Sequence, residues 1–262
     1  MFIVKSNAYG HCLVEIVKNL ESYVDAFGVV RMEEAILVRK ATNKPILLMQ
    51  GIYTDHEIKV AKESKIQIVI HNMNQFKLIG TNNRELGLWI KVNTGMNRLG
   101  LSQEELKVAY EKGIIDSNSV LMTHMACADN PDDPMNKMQI KNFEKAFNSV
   151  ERKTKRSVCN SACLINFTEL SFDWVRSGIA AYGGEFENLN LKTAMTFRAP
   201  IVSIRNVKKG ERVGYGGRKK ASKDMRIAIV YAGYADGIPQ TTIDGTKVLV
   251  NDRHAEIFGR VS

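Results

Sequence analysis

Basic and hydroxyl side chains stand directly after short apolar runs at several places along the chain. Lys5 follows Phe2-Ile3-Val4, a run that is typical of a buried strand. We therefore expect the Lys5 amine to be partly desolvated, which favours the neutral form that Schiff-base chemistry requires. Further clusters of polar residues and glycines follow other apolar runs, at 91–98, 124, 160–161 and 176–178. Together they indicate one catalytic site.

The elements that must position these clusters are short strands alternating with helices. Apolar, β-branched runs predict eight strands, at 2–5, 26–30, 46–49, 66–70, 87–92, 120–124, 157–160 and 174–176. Between them, apolar residues recur at helical spacing, for example at Leu13, Ile16, Val17 and Leu20. This alternation predicts an α/β fold with a (β/α)8 TIM-like barrel. Because the active sites of such barrels lie at the carboxyl ends of the strands, the clusters are expected to share one mouth.

The pattern changes after about residue 186. Extended runs joined by glycine-containing turns follow, at 194–204, 211–215, 226–231 and 247–251. We therefore predict two domains, which are a barrel over residues 1–186 and a β-rich domain over residues 187–262.

The charge of the chain is concentrated in one segment. The 262 residues carry a net charge of +9, a sign that would suit a nucleic acid or another anion. Ten basic and two acidic residues lie between positions 198 and 226, so this segment holds +8 of the total. The rest of the chain is nearly neutral and lacks the extended basic stripe that follows a phosphate backbone. We interpret the segment as a solvated basic loop and expect no nucleic-acid partner.

The cysteines and the apolar runs indicate the cellular setting. Cys12, Cys127, Cys159 and Cys163 form no CxxC pair and have no histidine at zinc-ligand spacing. We therefore expect reduced thiols and no metal site. No apolar run approaches the roughly 18 residues of a membrane span, and the N-terminus lacks a signal-peptide pattern. These features favour a cytoplasmic protein without a membrane segment.

Six motifs resemble those of the alanine racemases, which are fold-type III pyridoxal-phosphate enzymes. In chain order they are Val4-Lys5-Ser-Asn-Ala-Tyr9-Gly-His11, Lys91-Val-Asn-Thr-Gly-Met-Asn-Arg98-Leu-Gly100, Thr123-His124-Met-Ala-Cys-Ala-Asp129, Asn160-Ser161-Ala162, Val175-Arg176-Ser-Gly178-Ile179 and Gly233-Tyr234-Ala-Asp236-Gly237. They occur in register over nearly the whole chain, which makes the resemblance specific. It implies pyridoxal 5'-phosphate as the cofactor and alanine as the small-molecule substrate.

The resemblance also implies which residues move protons. Lys5 would hold the cofactor and act as a base at one face of the substrate Cα. Tyr234 would be the acid/base at the opposite face and would reach the site from the partner subunit of a homodimer. Because a phenol ionises only near pH ~10, Tyr234 needs stabilising neighbours. His124 would be hydrogen-bonded to Tyr234 and to Arg176.

Arg176 would donate to the pyridine nitrogen. A guanidinium keeps its proton, so the ring would stay unprotonated and act as a weak electron sink. A weak sink suits a racemase, which must return a proton to Cα promptly. Two alternatives remain at this stage, His124 as a core histidine and Arg176 as a strand-end salt bridge.

The remaining implied roles concern anions. The cofactor phosphate would be bound by the hydroxyls of Tyr9 and Ser161 and by the backbone amides of Gly178 and Ile179. Arg98 would face the substrate carboxylate and the phenolic oxygen of the cofactor. In many family members the lysine at position 91 is carbamylated and positions that arginine. For Lys91 the alternative is an ordinary strand-end lysine paired with an acid.

These assignments predict an isomerase that interconverts L- and D-alanine by two-base proton transfer and supplies D-alanine for peptidoglycan. Two alternatives are a non-catalytic pyridoxal-phosphate-binding remnant and a racemase of broader specificity that acts on serine. Family members usually carry an earlier segment and continue beyond Gly259-Arg-Val-Ser262 into a Met-Asp-Met motif. The resemblance therefore implies a chain truncated at both ends, with an incomplete β-rich domain.

Overall fold

The computed structural model describes residues 1–80, 85–151, 153–184 and 189–262. Within these ranges the chain forms two compact units, Met1–Met195 and Thr196–Ser262. The predicted domain boundary, between residues 186 and 187, lies outside the described residues. The two units are built on different kinds of sheet.

Unit 1 contains a seven-stranded parallel sheet in which each strand pairs with its neighbours in chain order. The strands are β1 (Phe2–Ile3), β2 (Phe27–Val29), β3 (Ile46–Leu48), β4 (Ile66–Ile70), β5 (Leu88–Lys91), β6 (Val120–Met122) and β7 (Lys155–Ser157). The first six lie inside predicted ranges, because their apolar, β-branched residues suit a sheet that is covered on both faces.

The seventh strand begins earlier than its predicted range, 157–160, and shares only Ser157 with it. Its first two residues are basic, so the apolar pattern did not mark them. The Arg156 guanidinium lies over the rings of Phe147 and Phe172, 4.7 and 3.6 Å from their centroids. This cover allows a charged side chain to occupy a strand position.

An irregular segment, residues 174–177, takes the place of the predicted eighth strand. On one side the Trp174 amide donates to the Arg156 carbonyl at 3.1 Å, and on the other the Ile3 amide donates to the Ser177 carbonyl at 2.9 Å. Phe2 and Ser177 form an isolated parallel bridge. The prediction of a regular strand at 174–176 is therefore wrong, since the chain turns at Gly178 before a ladder can form. The segment nevertheless links β7 to β1 and closes the barrel.

Helices alternate with these strands and cover the outside of the sheet. They are α2 (Leu13–Leu20), α3 (Met32–Ala41), α4 (Asp55–Glu63), α5 (Met73–Ile79), α6 (Gln103–Glu111), α7 (Pro134–Ser149) and α8 (Ser161–Asn166), with 3-10 helices at Glu21–Tyr23, Thr168–Leu170 and Ile179–Tyr182. The element before them, α1 (Lys5–Tyr9), is a left-handed turn at the barrel mouth. Thr54 and Ser102 cap α4 and α6 with their hydroxyls. In α2, Leu13 and Val17 are buried, as the apolar stripe predicts.

The core of unit 1 divides in two because side chains alternate across each strand. Ile46, Leu48 and Ile68 pack in the larger cluster, which also includes apolar residues of the helices. Leu47 and Val69 belong to a smaller cluster that is made almost entirely of strand residues and fills the inside of the barrel.

Unit 2 consists of antiparallel strand pairs. They are β8 (Ile201–Val207) with β11 (Met225–Val230), β9 (Arg212–Val213) with β10 (Lys219–Lys220), and β12 (Lys247–Val250) with β13 (Arg253–Glu256). Short 3-10 helices lie at Tyr215–Gly217 and Tyr234–Asp236. Asn251 and Asp252 connect β12 to β13 with φ values of 48° and 62°, the positive values of a two-residue hairpin turn. The prediction of a mostly-β second unit is confirmed, although β10 and β13 were not predicted.

The four cysteines are free thiols, and the Sγ atoms of Cys159 and Cys163 lie 2.9 Å apart. Among the described residues, none of the helices is long and apolar enough to cross a membrane.

Replacing Ile90 should show how strongly the barrel depends on its buried strands. Ile90 is fully buried in β5, so Ile90→Ala should lower the free energy of unfolding by about 2–5 kcal/mol through lost burial and a residual cavity. Urea unfolding measures the change. Val108→Ala on the exposed face of α6 is the control and should shift it by less than about 0.5 kcal/mol. Equal losses in both variants would contradict this packing.

Candidate active site

One cavity in unit 1 collects the polar clusters at the carboxyl ends of the strands. The site residues that the sequence places in the barrel all line it, namely Lys5, Tyr9, Lys91, Arg98, His124, Ser161, Arg176, Gly178 and Ile179. Lys91 is the last residue of β5, and Lys5, His124 and Ser161 follow β1, β6 and β7. The barrel therefore brings residues that are distant in sequence to one mouth.

The residues after Lys5 form a left-handed turn. Values of φ between 53° and 54° occur at Ser6, Asn7, Ala8 and Tyr9. This conformation costs about 1–2 kcal/mol for each residue other than glycine, so the surrounding structure must stabilise it. The Ala8 amide donates to the Val4 carbonyl at 2.9 Å, and the Asn7 side chain accepts from the Leu13 amide at 2.8 Å. The turn fixes the backbone on which Lys5 stands.

Tyr9 is the last residue of the left-handed turn and contacts Tyr182. Its ring packs against Tyr182 with a centroid distance of 4.8 Å, and the Tyr182 hydroxyl donates to the Ile3 carbonyl at 2.9 Å. A Cβ at Gly178 would lie 2.9 Å from the Tyr9 hydroxyl oxygen, so only glycine permits this approach. Burial raises the pKa of Tyr9, which keeps its hydroxyl protonated and able to donate.

Ser161 organises two backbone amides beside Tyr9. Its side chain is almost fully buried, and its Oγ accepts from the amides of Gly178 at 2.9 Å and Ala180 at 3.3 Å. Ser161 also begins α8, whose N-terminus is capped by Asn160. Amides at helix N-termini, a serine hydroxyl and a tyrosine hydroxyl form a donor set that suits a phosphate group.

Arg176 is a buried cation with an exposed fraction of only 4%. Its Nη1 donates to Ser157 Oγ at 2.5 Å, and its Nη2 donates to the carbonyls of Thr123 at 2.5 Å and Val158 at 3.1 Å. Burial lowers the pKa of Arg176 to about 10, so the guanidinium is charged at neutral pH. Within the described residues no carboxylate forms an ion pair with it, which is unlike a strand-end salt bridge.

His124 is kept neutral by its surroundings. Burial lowers the pKa of its imidazole to about 3, and the positive charges of Arg176, Lys91, Arg98 and Lys5 act in the same direction. Its Nε2 lies 3.4 Å from the Asn160 side-chain amide. The predicted hydrogen bond between His124 and Arg176 is not formed in the described structure, because the guanidinium is directed at Ser157 and two backbone carbonyls. Arg176 instead influences His124 through its charge.

Lys91 and Arg98 differ in exposure. Lys91 is 7% exposed, and burial, together with the positive charges of Arg176, Arg98 and Lys5, lowers the pKa of its amine to about 8. Arg98 is exposed at the edge of the cavity. In the part of the chain that the structure describes, neither side chain has an acidic partner. The alternative of a strand-end lysine paired with an acid therefore has no support in these contacts.

Tyr234 belongs to unit 2. Its side chain is 58% exposed and stands at the start of the Tyr234–Asp236 3-10 helix. The Tyr234 amide donates to the Ser262 carbonyl at 3.1 Å, and the Gly233 amide donates to the Asp236 carboxylate at 3.0 Å. These bonds fix the backbone of the motif, and the approach of Tyr234 to a partner subunit stays a prediction.

The sequence analysis did not identify several residues that hold the site residues in place without a proposed role in the reaction. Thr123 and Ser157 hold the guanidinium of Arg176, and Tyr182 packs on Tyr9. Glu34 bonds to the turn that follows Lys5. Position near the end of the predicted strand 120–124 could have indicated Thr123. Ser157 stands at the start of its predicted strand, 157–160, and no pattern in the sequence marks Tyr182 or Glu34.

Comparison with known proteins places the chain in a family. The family model described as "Alanine racemase, N-terminal domain" matches residues 1–185, and "Alanine racemase, C-terminal domain" matches residues 194–262. The chain belongs to the alanine racemase family. A relative from Vesicomyosocius okutanii, named alanine racemase, is 40% identical over 99% of this chain and 75% of its own length. One from Legionella pneumophila is 39% identical over 99% of this chain and 76% of its own length.

Solved structures of this family have the same fold. The biosynthetic alanine racemase from Pseudomonas aeruginosa superposes with a TM-score of 0.91 and 34% identity, covering all of this chain and 76% of that one. The alanine racemase from Bartonella henselae, described with covalently bound pyridoxal phosphate, gives a TM-score of 0.86 and 25% identity over the same shares. The resemblance drawn from the six motifs is thereby confirmed.

The neutral state of His124 predicts how stability depends on pH. An unfolded chain protonates this imidazole near pH 6.5 and the folded chain only near pH 3. Stability is therefore lost as the pH falls from about 6.5 toward 3, by up to about 1.4 kcal/mol per pH unit from this group. Urea unfolding between pH 7 and pH 4 measures the slope, and His124→Gln should flatten it. An unchanged slope in His124→Gln would contradict the neutral assignment.

Proposed function

We propose that the protein is a pyridoxal 5'-phosphate-dependent alanine racemase that interconverts L- and D-alanine. The observation that carries the proposal is the cavity at the barrel mouth of a family member, where Lys5 stands beside four further cations, Arg31, Lys91, Arg98 and Arg176. The covalently bound pyridoxal phosphate of the Bartonella henselae relative supports the cofactor. The family name and the relatives support the reaction and make this enzyme an isomerase.

The residues present fit this cofactor. Tyr9, Ser161 and the amide of Ile179 offer neutral donors for a phosphate. The Gly178 amide donates to Ser161 Oγ at 2.9 Å and would have to leave that bond to reach a phosphate. Glycine at position 178 also lets the Tyr9 hydroxyl approach closely. The cations of the same cavity have no carboxylate partners among the described residues. Glu33, Glu34 and Asp129 also line the cavity, and an anionic cofactor and a substrate carboxylate would pair with the cations that no described carboxylate reaches.

The proton chemistry falls to two side chains. When bound, pyridoxal phosphate supplies the electron-withdrawing ring that makes the proton on the substrate Cα acidic. Lys5 would hold the cofactor and would then exchange a proton with one face of Cα. Tyr234 of the partner subunit exchanges a proton with the opposite face, so that the configuration inverts.

Arg176 and His124 set the electrostatics of this exchange. Arg176 would donate to the ring nitrogen without giving up its proton, so the bound ring would be a weak electron sink and a proton would return to Cα quickly. His124 is neutral and can accept a hydrogen bond from the Tyr234 phenol or donate one to it. The burial of Arg176 and its three hydrogen bonds support a fixed orientation.

Arg98 faces the substrate carboxylate, and Lys91 is carbamylated to position it. In this step the neutral amine of Lys91 adds to carbon dioxide and loses a proton, which leaves a carbamate anion. The lowered pKa of Lys91 favours the neutral amine that reacts, and the neighbouring cations Arg176 and Arg98 favour the anion that forms.

The cellular role follows from the reaction. We propose a homodimer with shared active sites, because Tyr234 must reach a second barrel. We place the enzyme in the cytoplasm, where it supplies D-alanine for peptidoglycan in the cell wall. The basis for this placement is the free state of the four cysteines together with the absence of a spanning helix from the described part of the chain.

Removal of the Lys5 amine tests the proposal. Lys5→Ala should lose both the absorption band of covalently bound pyridoxal phosphate and all measurable conversion of D- to L-alanine, because it removes the amine that holds the cofactor and exchanges a proton with Cα. Absorption spectra and a racemisation assay measure the two effects. Lys18→Ala, an exposed lysine of α2, is the control and should retain both. Faster turnover of serine or lysine than of alanine would overturn the substrate assignment.

Removal of the Tyr234 hydroxyl separates the two faces of the reaction. Tyr234→Phe should bind pyridoxal phosphate normally and slow proton exchange at the face opposite Lys5 by roughly 100-fold or more, as loss of a general acid/base does. Hydrogen-deuterium exchange at Cα of each alanine enantiomer measures this. Mixed dimers of Lys5→Ala and Tyr234→Phe chains should recover part of the activity. Full activity of Tyr234→Phe, or no recovery in a verified mixed dimer, would count against these roles.

A further inference from the structure

Glu34 connects the turn that carries Lys5 to the start of α3. Its Oε1 accepts a hydrogen bond from the Ser6 amide at 2.6 Å, across 28 residues of sequence. Its Oε2 accepts from the amides of Val30 and Arg31 at 3.1 and 3.2 Å. One half-buried carboxylate therefore holds together the backbone at the carboxyl ends of β1 and β2.

Two other glutamates occupy the same position in their helices and allow a comparison within the molecule. Glu57 in α4 accepts from the amides of Tyr53 at 2.7 Å and Thr54 at 3.1 Å, and Glu105 in α6 accepts from the Ser102 amide at 2.9 Å. Both bond within their own helix N-terminus, as a capping box requires. Among these three residues only Glu34 has a described hydrogen bond to a distant segment.

The bond to Ser6 matters because of the conformation that it stabilises. Ser6 is the first residue of the left-handed turn, with a φ of 53°. Its amide points out of the turn and has Glu34 as its described acceptor. A hydrogen bond to a carboxylate is about twice as strong as one between neutral groups. Glu34 therefore offsets part of the strain at the residue that directly follows Lys5.

We propose that Glu34 is a positioning residue for Lys5. By fixing the Ser6 amide it fixes the backbone next to Lys5, and so directs the Lys5 amine into the cavity. This role rests on the proposed function, in which that amine must reach both the cofactor and the substrate Cα. Small displacements of a reacting group lower rates strongly while leaving substrate binding nearly unchanged.

Substitutions of Glu34 should have graded effects. Glu34→Gln keeps one acceptor oxygen, which can serve either Ser6 or the two amides that precede α3, but not both sets. Glu34→Ala removes every acceptor. The matched controls are Glu57→Gln and Glu57→Ala, which remove a capping carboxylate of the same kind without touching the Lys5 turn.

The test measures the reactivity of Lys5 separately from turnover. Each variant is incubated with pyridoxal phosphate and trapped with borohydride, and mass spectrometry gives the rate of labelling at Lys5. We expect Glu34→Ala to slow labelling and to lower kcat by roughly 10- to 100-fold, with KM for alanine changed by less than about 3-fold. Glu34→Gln should fall between Glu34→Ala and the unaltered chain, and both Glu57 variants should match the unaltered chain.

Thermal unfolding distinguishes positioning from capping. Glu34→Gln and Glu57→Gln should lower Tm by similar amounts, since each loses a capping carboxylate. The proposal is overturned if Lys5 is labelled and alanine is turned over as fast in Glu34→Ala as in Glu57→Ala. It is also overturned if the decreases in labelling rate and kcat of Glu34→Ala equal the fraction of that variant that is unfolded. Lack of racemisation by the unaltered chain would reject the proposed function instead, and the labelling rates would still decide the role of Glu34.

Discussion

Crowding of positive charge in one cavity is the constraint on which the site depends. Lys5, Lys91, Arg98 and Arg176 line a single mouth, and none has an ion-pair partner among the described residues. Burial, together with the positive charges of these neighbours, lowers the pKa of Lys91 to about 8 and that of His124 to about 3. An enzyme that gathers cations in this way loses stability in its empty state and gains affinity for anions. Burial and the same positive charges keep His124 neutral.

The segment that closes the barrel also holds Arg176 in place. Arg176 lies on the irregular segment that replaces an eighth strand, and its guanidinium donates to backbone carbonyls at the ends of the two preceding strands. Its own amide donates to the Cys159 carbonyl at 2.9 Å. The side chain therefore supplies hydrogen bonds that a regular ladder would otherwise make. A buried cation that replaces ladder bonds in this way has little freedom to reorient.

Backbone strain is concentrated in the segment beside Lys5. Four consecutive residues adopt left-handed backbone angles, and separate contacts with Leu13, Tyr182 and Glu34 hold them. The rigid sheet below, whose central side chains are fully buried, provides the fixed frame for these contacts. Lys5 is thus held by the barrel from several directions, as a reacting group on a flexible loop would not be.

The sequence by itself determined the strand and helix pattern, the family, and the residue types that meet at the mouth, because apolar periodicity and motif spacing are local properties. Six of the predicted strands lie where their apolar runs are, while β7 escaped detection because the rings of Phe147 and Phe172 cover Arg156 from elsewhere in the chain. Only the tertiary structure decided that Arg176 bonds to carbonyls and not to His124, that Glu34 reaches Ser6, and that the residues after Lys5 wind left-handed. Each of these depends on contacts between segments far apart in sequence, and a local sequence pattern does not predict such contacts.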